Sequence, residues 1–263
     1  MNRWDTHAHV FDGAPRAGSH YVPPQCTLAM WQASAAPHGI DRVVLVQPSV
    51  YGTDNSVMLD ALRAAGGVQR GVAVLDASVT DRELEAMHAA GVRGVRFNLV
   101  SPVGNDPAEI DAVAARVRQL GWHLQFFLQP KHYAWIRMGQ ALWRVNVVLD
   151  HLAGVRADAP LTAGERADLQ ALGDAGAWIK LSGFYRLGMA VPFAQSTSLI
   201  GQFAKWYSGR MVWGSDWPHT WYMESPRGDA PAFAQLLAPV MDAFADERTQ
   251  REILVEAPGR LYA

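Results

Sequence analysis

The chain of 263 residues is poor in cysteine, in net charge and in long apolar runs. Cys26 is its only cysteine, which excludes an internal disulfide and a cluster of thiolate metal ligands. The net charge of -2 gives no electrostatic reason to expect nucleic acid or an anionic membrane as a partner. No apolar run approaches the ~18 residues of a membrane span, and no basic-then-apolar segment opens the chain. We therefore expect a cytoplasmic protein that binds neither nucleic acid nor membrane.

Strand and helix patterns alternate along the whole chain. Short apolar runs rich in β-branched residues predict strands at 4–11, 42–47, 71–76, 92–99, 122–128, 145–151, 177–182 and 210–215. Helical patterns lie between them, and Thr162 and Glu165 are spaced as a capping box at the start of one. Eight such units in 263 residues are typical of a closed (β/α)8 barrel. We predict an α/β fold with a single TIM barrel domain over residues 1–263.

Two further features refine this fold prediction. A doubly wound open sheet is the alternative, but residues 10–14 lack the Gly-rich phosphate turn that usually follows its first strand. The segment of about 12–37 carries several prolines, including the consecutive Pro23 and Pro24, which exclude regular structure there. We expect this segment to be a long loop over the active site, with a short helix between 28 and 37.

The pair His7 and His9 stands at the end of the first predicted strand. Alternate side chains of a strand share a face, so both imidazoles point the same way. In a barrel, functional side chains come from the carboxyl ends of the strands. Polar residues occur at the other strand ends too, among them Gln47, Ser49, Asp76, Arg96, Asn98, Gln125, Gln129, Asp150, His151, Lys180, Ser182, Asp216 and His219. So many polar ends indicate a catalytic rim.

Asp216 and the pair Asp150 and His151 are the other candidates for chemistry. Asp216 closes an apolar strand between tryptophans, where an unpaired carboxylate would have a raised pKa, and this favours a base over a surface charge. On a regular strand only one of Asp150 and His151 can face the barrel interior. We expect that residue to be His151, with Asp150 as a structural hydrogen-bond partner.

Five motifs resemble the amidohydrolase superfamily, and specifically amidohydrolase family 2. They are residues 5–12 (DTHAHVFD), 92–98 (VRGVRFN), 148–151 (VLDH), 213–219 (WGSDWPH) and 257–262 (APGRLY). Within the superfamily they look most like the branch of pyrone dicarboxylate lactonases and related sugar lactonases. Because the motifs span nearly the whole chain in this order, the resemblance implies a barrel enzyme that acts on lactones.

The resemblance also implies roles for individual residues. It implies that Asp216 activates the attacking water and that His7, His9 and His151 polarise the scissile carbonyl. In this branch arginines, serines and tyrosines hold substrate carboxylates. The matching residues here are Arg96, Arg186, Ser49, Tyr21, Tyr51 and Lys131. Arginine can hold a carboxylate by two parallel hydrogen bonds, which fixes its orientation.

Many members of the superfamily bind zinc through the paired histidines, a histidine on the fifth strand and the aspartate on the eighth. Here the inward positions of the fifth strand are Gln125 and Gln129, and glutamine is a poor zinc ligand. The fourth strand end supplies no lysine that could bridge two metals. We therefore expect a reaction that requires no cofactor. A single divalent cation, such as zinc on His7, His9 and Asp216, is the lesser alternative.

These inferences predict a metal-independent hydrolase that opens the lactone of a small carboxylated substrate. A sugar-acid lactonase or a lactone isomerase of the same branch is one alternative, and a zinc-dependent decarboxylase or amidohydrolase is another. A ligand-binding barrel without catalysis would keep the arginines but would not need Asp216. The exposed faces of barrel helices are compatible with a homo-oligomer.

Overall fold

The computed structural model describes residues 2–15, 21–100, 105–223 and 228–263. Its centre is a sheet of eight parallel strands that pair in chain order. The strands are β1 (Arg3–Ala8), β2 (Ile40–Val46), β3 (Arg70–Ala73), β4 (Val92–Asn98), β5 (His123–Phe127), β6 (Val147–Leu149), β7 (Trp178–Leu181) and β8 (Met211–Trp213). Helices follow the strands, so the predicted (β/α)8 TIM barrel is confirmed.

The barrel closes where β1 meets β8 and the segment after it. The Thr6 hydroxyl donates to the carbonyl of Trp213 at 2.8 Å. Further along, the amide of Asp216 donates to the carbonyl of His7, and the amide of His9 donates to the carbonyl of Trp217, both at 2.8 Å. We call these bonds the β1–β8 seam. It places the two strand ends that carry the candidate catalytic residues side by side.

Asp5 reinforces the seam from inside the core. Its buried carboxylate accepts hydrogen bonds from the Ser215 amide at 2.8 Å, the Ser215 hydroxyl at 2.5 Å and the Trp31 indole at 2.9 Å. Burial raises the pKa of Asp5, although these donors partly oppose that effect. A buried carboxylate with several donors is a specific cross-link, and here it ties β1, β8 and the first helix together.

Helices surround the barrel. They are α1 (Leu28–Ala35), α2 (Ser56–Ala64), α3 (Asp81–Ala90), α4 (Ile110–Val117), α5 (Tyr133–Trp143), α6 (Ala163–Asp174), α7 (Gln195–Trp206), α8 (Thr220–Met223), α9 (Phe233–Ala243), α10 (Glu247–Arg251) and α11 (Ala257–Leu261). The predicted capping box of Thr162 and Glu165 is present at the start of α6. Among the helices described, none has the length and apolar character needed to cross a bilayer.

The core has two apolar parts. A large cluster lies mainly between the sheet and the helices, and a smaller one fills the lower barrel interior around Trp4, Val148 and Trp178. Tyr262 closes the second cluster from below, stacking on Trp4 with ring centroids 6.1 Å apart. The rim that carries the candidate catalytic residues therefore stands at the opposite, carboxyl end of the barrel.

The observed strands, apart from β2, are shorter than the apolar runs that predicted them. β1 ends at Ala8 and β6 at Leu149, so His9 and His151 lie just beyond their strands. Buried apolar residues continue past the last ladder hydrogen bond in both places, which explains the overestimate. In the loop predicted at 12–37, the structure places α1 at Leu28–Ala35; residues 16–20 lie outside the described residues.

Candidate active site

His7 and His9 lie at the carboxyl rim of the barrel, and we call the surface formed by His7, His9, His151 and Asp216 the floor of the site. His7 is fully buried, His9 is 4 % exposed, and their ring centroids are 5.1 Å apart. The Nδ1 atom of His9 lies 2.7 Å from the carbonyl of Val46, which can only accept, so this nitrogen carries a proton. The Nε2 atom of His9 is therefore the one that faces the site.

Asp216 lies at the centre of the group. Its Oδ1 atom is 3.4 Å from Nε2 of His9, 3.7 Å from Nε2 of His7 and 3.9 Å from Nε2 of His151. This oxygen makes no hydrogen bond within the described residues. The backbone at Asp216 is left-handed, with φ of +58°, and this turn directs the carboxylate inward immediately after β8. One carboxylate oxygen thus faces three imidazole nitrogens.

The other carboxylate oxygen of Asp216 is held by two donors. The Tyr185 hydroxyl and the Nε atom of Arg186 each donate to Oδ2 at 2.6 Å. Burial alone would raise the pKa of Asp216, but Arg186 and the neighbouring histidines outweigh it and hold the pKa well below 3.8. The carboxylate is therefore paired and ionised. The apolar surroundings expected from the flanking tryptophans do not determine its charge.

His151 faces the site through an unusual backbone. His151, Leu152 and Ala153 have φ values of +50°, +51° and +56°, so strand alternation stops at Leu149. Consequently Asp150 and His151 are both buried in the barrel interior, and the expectation that only one of them faces inward is wrong. The Nδ1 atom of His151 lies 3.0 Å from the Ser182 hydroxyl. Burial lowers the pKa of His151 to about 4, so the ring is neutral at pH 7.

A polar layer lies directly beneath this floor. Asp150 accepts hydrogen bonds on Oδ2 from Nε of Arg96 at 2.9 Å and from Nε2 of Gln125 at 3.1 Å. Its Oδ1 atom lies 3.3 Å from Nδ1 of His7 and 3.7 Å from Nζ of Lys180. Burial would raise the pKa of Asp150, but the neighbouring cations of Lys180 and Arg96 hold it well below 3.8. We call Arg96, Gln125, Asp150 and Lys180 the lower polar layer.

A pocket with an empty volume of about 430 Å³ opens above the floor. It is lined by His9, Tyr21, Pro48, Ser49, Arg96, Asn98, Phe127, Arg186, Asp216 and Thr220. Four of the six residues predicted to bind substrate therefore line one pocket beside the predicted base. In Arg96, the guanidinium carbon also lies 5.3 Å from the centre of the Phe127 ring.

The structure places the other two predicted substrate residues elsewhere. Tyr51 is buried, and its hydroxyl exchanges hydrogen bonds with the backbone of Asp12, at 3.1 Å from the amide and 3.3 Å from the carbonyl. Its hydroxyl therefore holds the loop after β1 in place. Lys131 is exposed and borders a separate surface groove that also includes Arg156. Sequence position close to a strand end did not bring either residue to the pocket.

Sequence reasoning missed Tyr185 and gave Lys180 no role. Both lie where a signal existed, because Lys180 is on β7 and Tyr185 follows its carboxyl end. Arg186 was predicted from the sequence to lie at this part of the rim. Nothing in the sequence distinguished its neighbour Tyr185 from a structural tyrosine. Only the fold shows that its hydroxyl meets a carboxylate 31 residues away.

The donors that could hold a metal ion are limited. Within the described residues, His7, His151 and Asp216 each offer a ligand atom within 4.8 Å of one another, and Nε2 of His9 approaches the same aspartate. Gln125 occupies the inward position of β5 and bonds to Asp150 and Lys180. An ion here would therefore share Asp216 with a guanidinium and find no histidine at the carboxyl end of β5, because His123 lies at the opposite end of that strand, against Tyr262.

A (β/α)8 barrel with three histidines and a paired carboxylate at its carboxyl rim defines a barrel enzyme of the hydrolase class. The chain belongs to the amidohydrolase family, whose sequence model matches residues 4–263. This confirms the resemblance read from the five motifs.

Within this family, the chain is similar to several lactone hydrolases. The chain is 30 % identical to the 2-pyrone-4,6-dicarboxylate hydrolase of Comamonas testosteroni, over 98 % of this chain and 89 % of that protein. It is 32 % identical to the 4-sulfomuconolactone hydrolase of Rhizobium radiobacter, over 98 % of this chain and 89 % of that protein. A crystal structure of a probable 2-pyrone-4,6-dicarboxylic acid hydrolase from Acinetobacter baumannii with citric acid bound superposes with a TM-score of 0.82, at 29 % identity, covering 100 % of this chain and 99 % of that one.

Proposed function

We propose that the protein is a hydrolase that opens the lactone ring of a small carboxylated substrate and needs no metal for it. The observation that carries the proposal is the arrangement of three imidazole Nε2 atoms within 3.9 Å of one carboxylate oxygen, beneath a pocket lined by two arginines. Lactone hydrolysis needs a base for water, donors for the developing oxyanion and a counter-charge for a substrate carboxylate. Each need has candidate residues here.

The base in this proposal is Oδ1 of Asp216. Tyr185 and Arg186 hold Oδ2, so the carboxylate cannot rotate and Oδ1 stays directed at the site. A water on Oδ1 would lose its proton to the carboxylate as it attacks the lactone carbonyl, a step worth ~10²–10⁴ in rate for a placed base. His7 and His151 lie beside the same point and would bind the oxyanion, where each donor is worth ~3 kcal/mol. His9 carries its proton on Nδ1, so its Nε2 atom would accept a hydrogen bond from the attacking water.

The substrate in this proposal carries at least one carboxylate. In Arg96, Nε donates to Asp150 while the guanidinium lines the pocket, where its remaining N–H groups can meet an anion. Ser49 and Tyr21 line the same wall. The relatives named above are hydrolases of anionic lactones, and the Acinetobacter structure holds citric acid, a tricarboxylate, which agrees with this choice.

The metal-free reaction is supported by the charges around the candidate ligands. Arg186 lies 2.6 Å from Oδ2 of Asp216, and Lys180 lies 3.5 Å from Nδ1 of His7, so two cations approach the residues that would bind an ion. If zinc were bound by His7, His9 and Asp216, it would polarise the lactone carbonyl. The glutamine on β5 and these cations make the set a poor fit for that ion.

The test is a screen of purified protein against pyrone and aldono-lactones, after dialysis against a chelator and again with added zinc. We expect ring-opened acids in the chelated sample, with NMR of the products excluding a shifted lactone. Asp216→Asn should abolish turnover with its melting temperature retained, while Asp60→Asn on the exposed face of α2 should retain turnover. Activity that appears only with zinc would contradict the metal-free proposal, and wild-type turnover by the Asp216→Asn variant would contradict the base.

We also propose that residues 1–263 form one domain in which the segment 12–37 covers the site. The support is Tyr21, which lines the pocket from this segment. A homo-oligomer is a further proposal, supported by the exposed apolar side chains of Trp135, Met138 and Leu142 along α5. Light scattering of the purified protein tests it, and a cytoplasmic location is tested by cell fractionation.

A further inference from the structure

Lys180 is a buried cation at the heart of the barrel. The chain contains three lysines among its 23 lysine and arginine residues, and Lys131 and Lys205 are exposed. Lys180 has no exposed surface and lies directly beneath the catalytic floor. Burying a charge costs several kcal/mol unless it is well paired. The contacts of its ammonium group therefore indicate what the residue does.

The ammonium group has three contacts within hydrogen-bond distance, and Oδ1 of Asp150 lies further away, at 3.7 Å. Its Nζ atom donates to the carbonyl of Thr6 at 2.7 Å and to Oε1 of Gln125 at 2.8 Å. The third contact is with Nδ1 of His7, at 3.5 Å. An ammonium can only donate, so the nitrogen that faces it must offer a lone pair. This contact therefore favours the form of His7 in which Nδ1 carries no proton.

Asp150 competes for the same ring nitrogen. Its Oδ1 atom lies 3.3 Å from Nδ1 of His7, and it would favour the opposite form, with the proton on Nδ1. Yet Oδ1 of Asp150 makes no hydrogen bond within the described residues, despite its short distance from His7. The contact between Nζ of Lys180 and Nδ1 of His7, in contrast, has the geometry of a hydrogen bond. Geometry thus favours the lysine over the carboxylate as the partner of Nδ1.

We propose that Lys180 is a positioning residue that keeps the proton of His7 on Nε2, so that this ring donates to the substrate carbonyl and does not ligate a metal. The Nε2 atom of His7 is buried and has no partner within the described residues, so it is available for a carbonyl. Metal-ligating histidines commonly donate Nδ1–H to a carboxylate or carbonyl, which leaves Nε2 bare for the ion. Lys180 reverses that arrangement. The inference rests on the proposed function only for the identity of the acceptor.

The first test observes the proton directly. Side-chain ¹⁵N NMR at pH 7.5 distinguishes the two neutral forms of histidine, and His7→Asn identifies the signal. We expect the Nε2–H form in the wild type. In Lys180→Met, Asp150 becomes the remaining partner, and we expect the Nδ1–H form. A wild-type signal of the Nδ1–H form would overturn the proposal, as would a tautomer unchanged in Lys180→Met.

The second test measures zinc binding by calorimetry. Lys180→Met should bind zinc at least tenfold more tightly than the wild type, because it frees Nε2 and removes a nearby cation. The matched variant Lys205→Met, on the exposed face of α7, should bind zinc as the wild type does. Equal zinc affinity in the wild type and in Lys180→Met would overturn the proposal.

Turnover provides a third readout. Lys180→Met should lower kcat at least tenfold with KM nearly unchanged, since the contact of His7 strengthens as the oxyanion forms. An increase in KM alone would contradict a role at the carbonyl. If Lys180→Met fails to fold, the wild-type spectrum still decides the tautomer. If no lactone is turned over, the proposed function fails, while the NMR and zinc measurements still decide the role of Lys180.

Discussion

Tyr185 provides the sharpest prediction about the base. Its hydroxyl donates to Oδ2 of Asp216 at 2.6 Å, while its ring packs 5.2 Å from that of Tyr222. Tyr185→Phe therefore removes one hydrogen bond and keeps the packing. A hydrogen bond to a charged group is worth ~1.5–3 kcal/mol, and each ~1.4 kcal/mol is tenfold in rate. Because the bond keeps Oδ1 directed at the attacking water, its loss should lower kcat/KM, by at most the ~10- to 150-fold that the full value of the bond allows.

The pH profile separates this effect from simple damage to the fold. The hydroxyl stabilises the ionised form of Asp216, so its removal raises the pKa of that carboxyl. Protonation then removes the base at a higher pH, and the acid limb of kcat/KM should move upward. Tyr207→Phe is the matched control, because Tyr207 is also buried and donates at 2.7 Å to the carbonyl of Leu169, far from the rim. It should lower the free energy of unfolding by ~1 kcal/mol and leave the pH profile unchanged.

The assay is steady-state lactone hydrolysis between pH 3 and pH 9, with unfolding in urea measured in parallel. A Tyr185→Phe enzyme with wild-type kcat/KM and an unmoved acid limb would refute the view that Asp216 depends on this donor. An equal loss of activity in Tyr207→Phe would show that the effect is only one of stability.

Three other predictions concern the substrate, the pH range and the seam. Arg96→Met should raise KM at least ~10-fold because a charge-assisted contact is lost. Lys131→Met should leave KM unchanged. A larger increase in KM for Lys131→Met than for Arg96→Met in steady-state kinetics would refute the assignment of Arg96 to the pocket. The pKa of Asp216 is held well below 3.8, and that of His151 is lowered to about 4. The wild-type kcat/KM should therefore stay level as the pH falls from 7 to 5. A fall in kcat/KM centred near pH 6.5 would contradict these protonation states. Asp5→Asn replaces one of the two accepting oxygens with an NH2 group, so that either the Trp31 indole or the Ser215 amide loses its acceptor. This change should cost ~1.5–3 kcal/mol in the free energy of unfolding, measured by urea denaturation.

The barrel and the main chemical groups could be predicted because both follow from local patterns. Eight alternating units fix the closure of the sheet, and closure brings the strand ends to one rim. The pairs at these ends, His7 with His9 and Asp216, were predicted from adjacent residues alone. Local sequence thus carries the list of candidates.

The pairings within the site could not be predicted, because they depend on long-range geometry. The three left-handed residues 151–153 bring His151 inward beside Asp150, and only the fourth residue of this run of positive φ values, Gly154, is a glycine. The sequence suggested an apolar setting for Asp216, but Arg186 reaches it across 30 positions. Tyr51 follows β2 and Arg96 lies near the carboxyl end of β4, and only packing decides that Tyr51 holds a loop while Arg96 lines the pocket.

The β1–β8 seam also has a consequence for how the molecule acquires and loses its activity. The seam and the Asp5 bonds that reinforce it join residues up to 210 positions apart, so forming them costs the loop-closure entropy of almost the entire chain. Intermediates with six or seven strands in place would keep most of the core but would hold His7 and Asp216 apart. Turnover would therefore vanish on partial opening, before circular dichroism reports unfolding. We therefore expect measurements of turnover to report whether the β1–β8 seam is closed.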